Sequence, residues 1–179
     1  MIDGDDIGMG SHDQGADATN QRWLVIPRTL CFVTHGDDVL LMRRAATRRI
    51  FPNLYNGLGG HIERDETPVE GAIREIYEES GLRVDHIAFC GTHMVDTGGQ
   101  NGIILFTFRA RAASRECVSD EREGTLHWIS RKDVLSLELV EDLPQIIPRV
   151  LNMRDDEMPY HVHVSYDEAD NIQLRFSQP

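Results

Sequence analysis

Residues 60–82 read GHIERDETPVEGAIREIYEESGL, and the helix signals in this stretch decide the fold. Thr67 and Glu70 have the spacing of a capping box, and Pro68 between them suits the first helical position. Gly81 predicts a left-handed cap that ends the helix. Apolar residues recur at helical spacing and predict the side that packs on a sheet: Val69, Ala72, Ile73 and Ile76.

The same helix carries three glutamates, Glu75, Glu78 and Glu79. Carboxylates three and four residues apart fall on one helical face, which we expect to be exposed. Like charges repel there unless a cation lies between them, and a hard divalent metal with oxygen ligands is the natural candidate. A metal bound to a diphosphate makes phosphorus open to attack by water. The alternative is a solvated acidic face without a ligand.

The fixed positions of this stretch resemble the Nudix box at every point. They are Gly60, Glu66 after five residues, Arg74-Glu75-Ile76 after seven more, then Glu78-Glu79 and Gly81-Leu82 after one residue each. The resemblance implies a loop–helix–loop that binds Mg²⁺ or Mn²⁺ and hydrolyses a nucleoside diphosphate linked to another group.

The resemblance also implies a role for each matching residue. Glu75, Glu78 and Glu79 look like metal ligands, together with the backbone carbonyl of Gly59, and Arg74 looks like the residue that positions a glutamate. One of the glutamates, or a nearby carboxylate, would orient or deprotonate the attacking water. A further carboxylate ligand is expected from the loop before Trp128. Glu121 is favoured and Glu123 stays open, and the alternative is that both are surface acids.

Composition restricts the partners. The chain has 179 residues, 40% of them hydrophobic, and a formal net charge of −12. This charge disfavours a nucleic-acid polymer as a partner but not a small phosphorylated substrate, because bound metal reverses the local sign. Cys31, Cys90 and Cys117 show no zinc-type spacing, and with no signal-peptide pattern or membrane-length apolar run they predict a cytoplasmic protein.

Along the chain, residues 1–20 are rich in Gly and Asp and predict a disordered tail, followed by one domain over 21–179. Strand patterns before and after the box helix, a helix over 143–152 broken near Pro148, and a closing hairpin predict an α+β or mixed α/β fold. The Nudix resemblance implies a mixed β-sheet sandwiched between helices.

A finer resemblance links the loop around Asn56 to the oxidised-purine triphosphatases of the Nudix superfamily. It implies that Asn56 and Thr29 contact the base and that the acidic pair Glu141-Asp142 reads it. An amide both donates and accepts hydrogen bonds, which suits a purine edge. The alternative for Asn56 is that it only serves the turn before Gly57.

The implied reaction converts a nucleoside triphosphate, such as 8-oxo-dGTP, to a monophosphate and pyrophosphate. The protein is expected to be a monomer or a homodimer. Hydrolysis of ADP-ribose or of a dinucleoside polyphosphate is the alternative. Their usual markers are missing, since no proline lies between Pro68 and Pro144 and no tyrosine between Tyr77 and Tyr160. A non-catalytic nucleotide sensor is disfavoured because all three box glutamates are present. An isoprenoid diphosphate isomerase is disfavoured because Cys90 has no catalytic acid paired with it.

Overall fold

The computed structural model describes residues 22–154 and 156–177, so the predicted tail over residues 1–20 lies outside the described residues. The elements follow in the order β1 (Leu24–His35), β2 (Asp38–Arg44), β3 (Tyr55–Asn56), α1 (Pro68–Ser80), β4 (Val84–Val95), β5 (Asn101–Ala112), β6 (Gly124–Ser130), α2 (Leu143–Asn152), β7 (Tyr160–Tyr166) and β8 (Ile172–Phe176). A short 3₁₀ helix, Val134–Ser136, precedes α2. Neither α1 nor α2 has the length and apolar content of a bilayer-spanning helix.

The strands form one mixed sheet in the order β3-β2-β1-β5-β4-β7-β8, with β6 paired to β2. The pairs β1/β5 and β4/β7 are parallel, and the other neighbours are antiparallel. Helices α1 and α2 pack on opposite faces of this sheet, so each face has its own apolar core. The predicted α+β class, with a mixed sheet between helices, is therefore confirmed.

Strand β1 separates from β2 after a short pairing that involves Val33–His35. The segment before α1 fills the gap, because the amide of Cys31 donates to the carbonyl of Leu58 (2.7 Å) and the amide of Thr29 donates to the carbonyl of Gly60 (2.8 Å). The glycine loop that leads into the box is thus fixed to the centre of the sheet.

Helix α1 begins and ends where the sequence predicts. The Thr67 side chain and Glu70 form the capping box, Pro68 is the first helical residue, and Gly81 is left-handed at φ 69°. The predicted packing face is only partly right. Ala72 and Ile76 are buried, whereas Val69 and Ile73 are 41% and 43% exposed. One row of side chains in contact with β1 is enough to hold the helix on the sheet. The apolar residues beside this row, Val69 and Ile73, therefore face solvent.

The predicted break at Pro148 is wrong, because α2 continues from Leu143 to Asn152. Proline at this position removes only the hydrogen bond that would reach back to Pro144. Burial of apolar side chains on the core holds the helix together across this gap: Leu143, Ile146, Ile147, Val150 and Leu151.

Candidate active site

Arg74 is the centre of the acidic cluster on α1. Its guanidinium donates to Glu66 through Nε (2.6 Å) and Nη2 (2.9 Å), and its Nη1 donates to Glu75 (2.9 Å) and Glu78 (3.0 Å). Nη2 also donates to the carbonyl of His61 (2.9 Å). One planar cation thereby joins the loop before α1 to the carboxylates on the helix.

Glu66 holds Arg74 from the loop side. Its carboxylate also accepts from the amide of Glu63 (3.0 Å), and the hydrogen bonds from Arg74 lower the pKa of Glu66 to about 2. The side chain is therefore an anion that orients Arg74 from the loop.

The two glycines before the box lie against the same carboxylates. The amide of Gly59 donates to Glu79 Oε2 (2.8 Å). Gly59 also has a φ of +132°, a backbone conformation that residues with a side chain rarely adopt. A Cβ on Gly59 would overlap the carbonyl of Thr29, and one on Gly60 would overlap the carboxylate of Glu75. The site therefore needs glycine at both positions for different reasons.

The three glutamates differ in exposure, which corrects the expectation that all of them line an open face. The Glu78 side chain is 57% exposed, whereas that of Glu75 is 15% exposed. Burial raises the pKa of Glu79 to about 7, and the nearby charges of Glu75 and Glu123 act in the same direction. The cluster thus runs from an open end at Glu78 to a partly buried end at Glu79.

Glu123 is the loop carboxylate whose charge reaches Glu79, and it pairs with Arg48 at 3.0 Å. Glu121, which the sequence favoured, is an exposed residue of the preceding turn. Arg44 also acts on Glu79, because its charge opposes the rise of that carboxyl's pKa. Arginines occur at positions 43, 44, 48 and 49. The sequence alone does not indicate which of them lies near the glutamates, since that depends on how β2 and the loop before β6 meet.

The donor set suits a hard divalent cation. Glu75, Glu78 and Glu79 supply carboxylate oxygens from one and a half turns of helix, and Gly59 adds its carbonyl. In the described residues no three acidic, histidine or cysteine side chains converge on one point. Glu75 and Glu78 instead turn toward Arg74, and Glu79 turns toward the amide of Gly59. The type of donor atom therefore suits the metal, and binding it through all three glutamates would require these side chains to leave Arg74 and the amide of Gly59.

The two segments predicted to read the base lie side by side. The amide of Tyr55 donates to the carbonyl of Glu138 (2.8 Å), and the amide of Val140 donates to the carbonyl of Tyr55 (3.1 Å). Asn56 therefore neighbours the segment that leads to Glu141 and Asp142. The Asn56 Oδ1 atom accepts from the amide of Gly57 (2.9 Å), as the turn-forming alternative required.

Glu141 is exposed, whereas Asp142 is largely buried before α2. Burial raises the pKa of Asp142, and its Oδ2 lies 3.8 Å from Nδ1 of His93, which is fully buried. The sequence offered no signal for His93 beyond a histidine within an apolar strand. Thr29 lies on the α1 side of β1, where its hydroxyl accepts from the amide of Gly60 (3.3 Å). Its position supports the glycine loop.

Comparison with known proteins shows the family and the fold of the chain. The sequence profile of the NUDIX domain matches residues 25–150. The chain resembles the crystal structure of a MutT protein from Bacillus halodurans with 25% identity and a TM-score of 0.72, over 87% of this chain and 100% of that one.

Among curated proteins, the chain is 37% identical over 70 residues to the human m7GpppN-mRNA hydrolase NUDT17, which is 39% of this chain. It spans only 15–21% of the length of the NUDT17 relatives. It is 28% identical over 131 residues to the nucleoside triphosphatase NudI of an Enterobacter species, covering 68% of this chain and 90% of that protein. Since the NUDIX profile covers most of the chain, the protein belongs to the NUDIX family.

Proposed function

We propose that this protein is a Mg²⁺- or Mn²⁺-dependent pyrophosphohydrolase that converts a nucleoside triphosphate to a nucleoside monophosphate and pyrophosphate. The favoured substrate is an oxidised purine deoxynucleotide of the 8-oxo-dGTP type. The observation that carries the proposal is the cluster of Glu75, Glu78 and Glu79, organised by Arg74 beside Gly59.

A divalent metal held by these glutamates and the carbonyl of Gly59 would neutralise the diphosphate and stabilise charge on the leaving pyrophosphate. Arg74 holds the carboxylates of Glu75 and Glu78 together through an ion pair with each. Arg44 lies near the buried end and supplies a fixed positive charge on that side, which suits a phosphate. One of the three glutamates, or Glu123, orients the attacking water.

Three observations favour a nucleoside triphosphate over larger substrates. The match to NudI, named a nucleoside triphosphatase, runs over 90% of that protein's length, whereas the matches to the bovine and human mRNA-cap hydrolases cover 15% and 21% of theirs. The proline and tyrosine markers of ADP-ribose and dinucleoside polyphosphate hydrolases are missing. The net charge of −12 disfavours a nucleic-acid polymer as substrate.

The preference for a purine rests on the neighbourhood of Asn56 with Glu141 and Asp142. Main-chain hydrogen bonds between Tyr55 and residues 138–140 bring these segments together. An amide and a carboxyl on neighbouring segments offer both donor and acceptor groups to a base. We also propose a cytoplasmic location, as a monomer or homodimer.

The test measures how fast the protein with Mg²⁺ releases pyrophosphate from 8-oxo-dGTP and from dGTP. It compares these rates with the formation of phosphate-ester products from ADP-ribose and from a dinucleoside polyphosphate. We expect monophosphate and pyrophosphate from the triphosphates, with 8-oxo-dGTP giving the highest kcat/KM. A higher kcat/KM for ADP-ribose or for the dinucleoside polyphosphate would replace the proposed substrate. No turnover of any anhydride would reject catalysis.

A further inference from the structure

An open cleft of about 340 Å³ lies at the end of β4, beside the start of β1. Its lining combines an aromatic ring, a carboxylate, an imidazole and two glycines: Trp23, Asp96, His163, Gly98 and Gly99. Cavities that bind small molecules in proteins begin at about 300 Å³. Neither the expected metal ligands nor the residues expected at the base belong to this lining, so the cleft has a role of its own to explain.

The alternation of side chains on β5 places the cleft relative to the two helices. Gly102 lies beneath Trp23, and Phe106, four residues later, packs in the core with α1. The cleft is therefore on the α1 side of the sheet. Thr107 contacts His93 on the opposite face, where the segment before α2 lies. The glycine loop of the box pairs with β1 on the edge away from β5, so the cleft is also separate from the acidic cluster.

Trp23 forms the aromatic wall of the cleft. Its six-membered ring lies above Gly102, where a Cβ would overlap three ring carbons. Pairing of β1 with β5 begins directly after the tryptophan, with Leu24 opposite Asn101, and this pairing fixes where the ring lies. The residue is nevertheless 41% exposed. It thus presents ring surface that the described residues leave uncovered.

Asp96 lies on the other side of Gly102. Val95 is in register with Ile103, so Asp96 follows at the position opposite Gly102, which has no side chain to separate the carboxyl from the indole. Oδ1 of Asp96 accepts from the amide of Gly98 (2.8 Å), and this bond orients the carboxyl. Among the described residues, nothing pairs with its Oδ2. One carboxylate oxygen is therefore available to a ligand.

His163 closes the cleft from β7. It is in register with Met94 on β4, which lies two residues before Asp96 on the same face. Diagonal neighbours on adjacent strands are about 7–8 Å apart, so both side chains can reach one small ligand. The imidazole is half-buried and has no hydrogen bond to another described residue. A neutral imidazole offers one acceptor and one donor nitrogen.

The charges of this lining favour a cationic ligand. It contains a carboxylate but no lysine or arginine, and the whole chain has a net charge of −12. An anion would therefore be repelled. A metal ion needs more ligands than Asp96 and His163, and in the part of the chain that the structure describes no third acidic, histidine or cysteine side chain joins them. An organic cation can use the indole and the carboxylate together.

We propose that this cleft binds a small organic ammonium ion between the ring of Trp23 and the carboxylate of Asp96, with His163 in contact with the polar end of the ligand. A cation over an indole face is attracted by the negative charge of the ring face, and the attraction grows as the cation loses water. The half-buried carboxylate adds an opposite charge at short range. The cleft thereby gives the protein a second ligand, independent of the reaction at the box glutamates.

The test compares choline with 3,3-dimethylbutan-1-ol, which has the same shape but carries carbon in place of the charged nitrogen. Binding is followed by NMR through the indole signal of Trp23 and the amide signals of Gly98 and Gly99. We expect choline to bind at least about fivefold more tightly than the alcohol. Sodium chloride at the same concentration controls for ionic strength. Equal affinities, or an absence of shifts at these signals, overturn the proposal.

Asp96→Asn tests the carboxylate, because it keeps the shape and an oxygen for the amide of Gly98 but removes the charge. It should weaken choline binding at least about threefold and leave the alcohol unchanged. The control Glu116→Gln removes one charge from an exposed residue between β5 and β6 and should match the wild type. An equal loss in both variants would assign the effect to net charge and overturn the role of Asp96.

Trp23→Leu tests the ring, because it keeps an apolar side chain without a π-system. It should abolish the preference for choline over the alcohol, with the signals of Gly98 and Gly99 as the readout. Gly102→Ala tests the same contact from β5, since its Cβ would displace the ring. A preference that survives in either folded variant overturns the role of Trp23, and the Asp96 pair decides alone if neither variant folds.

Glu78→Gln separates the cleft from the acidic cluster. It should bind choline as the wild type does, because Glu78 lies on α1 outside the lining. Loss of choline binding in this variant would place the ligand at the cluster and reject the cleft. Since no measurement here involves hydrolysis, an inactive protein that binds choline at Trp23 would reject the proposed reaction and keep this inference.

Discussion

Arg74 organises the acidic side chains of the site by occupying the position between them. It binds Glu66 on the loop and Glu75 and Glu78 on the helix, so three carboxylates share one guanidinium. Two glutamates of the box helix bind Arg74, and Glu78 has the more exposed side chain of the two. Its ion pair with Arg74 contributes at most about 1 kcal/mol to the free energy of folding. Glu78 therefore matters more for binding a ligand than for the stability of the fold.

We expect Glu78→Gln to lower kcat by at least about a thousandfold, because it removes one charged ligand from the proposed metal site. The free energy of unfolding in urea should change by less than about 1 kcal/mol. Glu63→Gln is the control, because it removes an exposed carboxylate from the loop of the same box. Near-wild-type turnover in Glu78→Gln would argue against Glu78 as a ligand.

His93 gives the protein a pH-dependent stability. Burial lowers its pKa to about 4 from an ordinary 6.5, so the folded protein keeps the imidazole neutral while the unfolded chain protonates it. Stability from this group is therefore complete above about pH 6.5 and falls as the pH drops toward 4. The groups facing the ring are Asp142, Tyr160 and Thr107.

We expect the wild type to lose about 2 kcal/mol more than His93→Gln between pH 7 and pH 5 in urea unfolding. Burial raises the pKa of Asp142 in both proteins, so the difference between them isolates the imidazole. His163→Gln, a change on β7, should follow the wild type. Parallel pH profiles for wild type and His93→Gln would show that His93 is not the titrating group.

At the scale of elements, the site exists because the glycine loop pairs with β1 where β2 has separated from it. Hydrogen bonds from Thr29 and Cys31 fix this loop, and α1 then starts at Pro68, eight residues after Gly60, from its capping box. The backbone of Gly59 faces β1, whereas Gly60 faces the glutamates. The two glycines therefore test separate functions of one loop.

Gly59→Ala should lower the free energy of unfolding by about 2–4 kcal/mol, because its Cβ meets backbone atoms of Thr29 at a positive φ. Gly60→Ala should cost about 1 kcal/mol or less, since its Cβ meets only the flexible end of Glu75. It should nevertheless lower kcat, because it displaces that carboxylate. Urea unfolding and turnover of both variants check this. Equal destabilisation by the two changes would contradict it.

At the scale of the whole molecule, the net charge of −12 opposes folding by repulsion, and the box concentrates carboxylates in one place. A cation that binds the folded protein but not the unfolded chain stabilises the folded protein by mass action. Mg²⁺ at a hundred times its dissociation constant should therefore raise Tm by roughly 5–10 °C. Thermal unfolding measures this shift.

Sodium chloride at the same ionic strength controls for screening of the net charge, and it should raise Tm less than Mg²⁺ does. The extra shift should shrink in Glu78→Gln and persist in Glu63→Gln. Identical shifts for sodium and magnesium salts in the wild type would contradict a specific site.

The sequence by itself determined the box helix, its caps and the glutamates on it, because hydrogen bonds within a few residues and a local charge pattern decide these features. It also predicted an α+β or mixed α/β fold, whereas the mixed sheet between helices came from the resemblance. Only the tertiary structure decided that Glu79 is partly buried, that the charge of Glu123 acts on it, and that α2 runs through Pro148. Contacts between distant segments decide burial and charge proximity, so the approach of His93 on β4 to Asp142 before α2 emerges only in the folded chain.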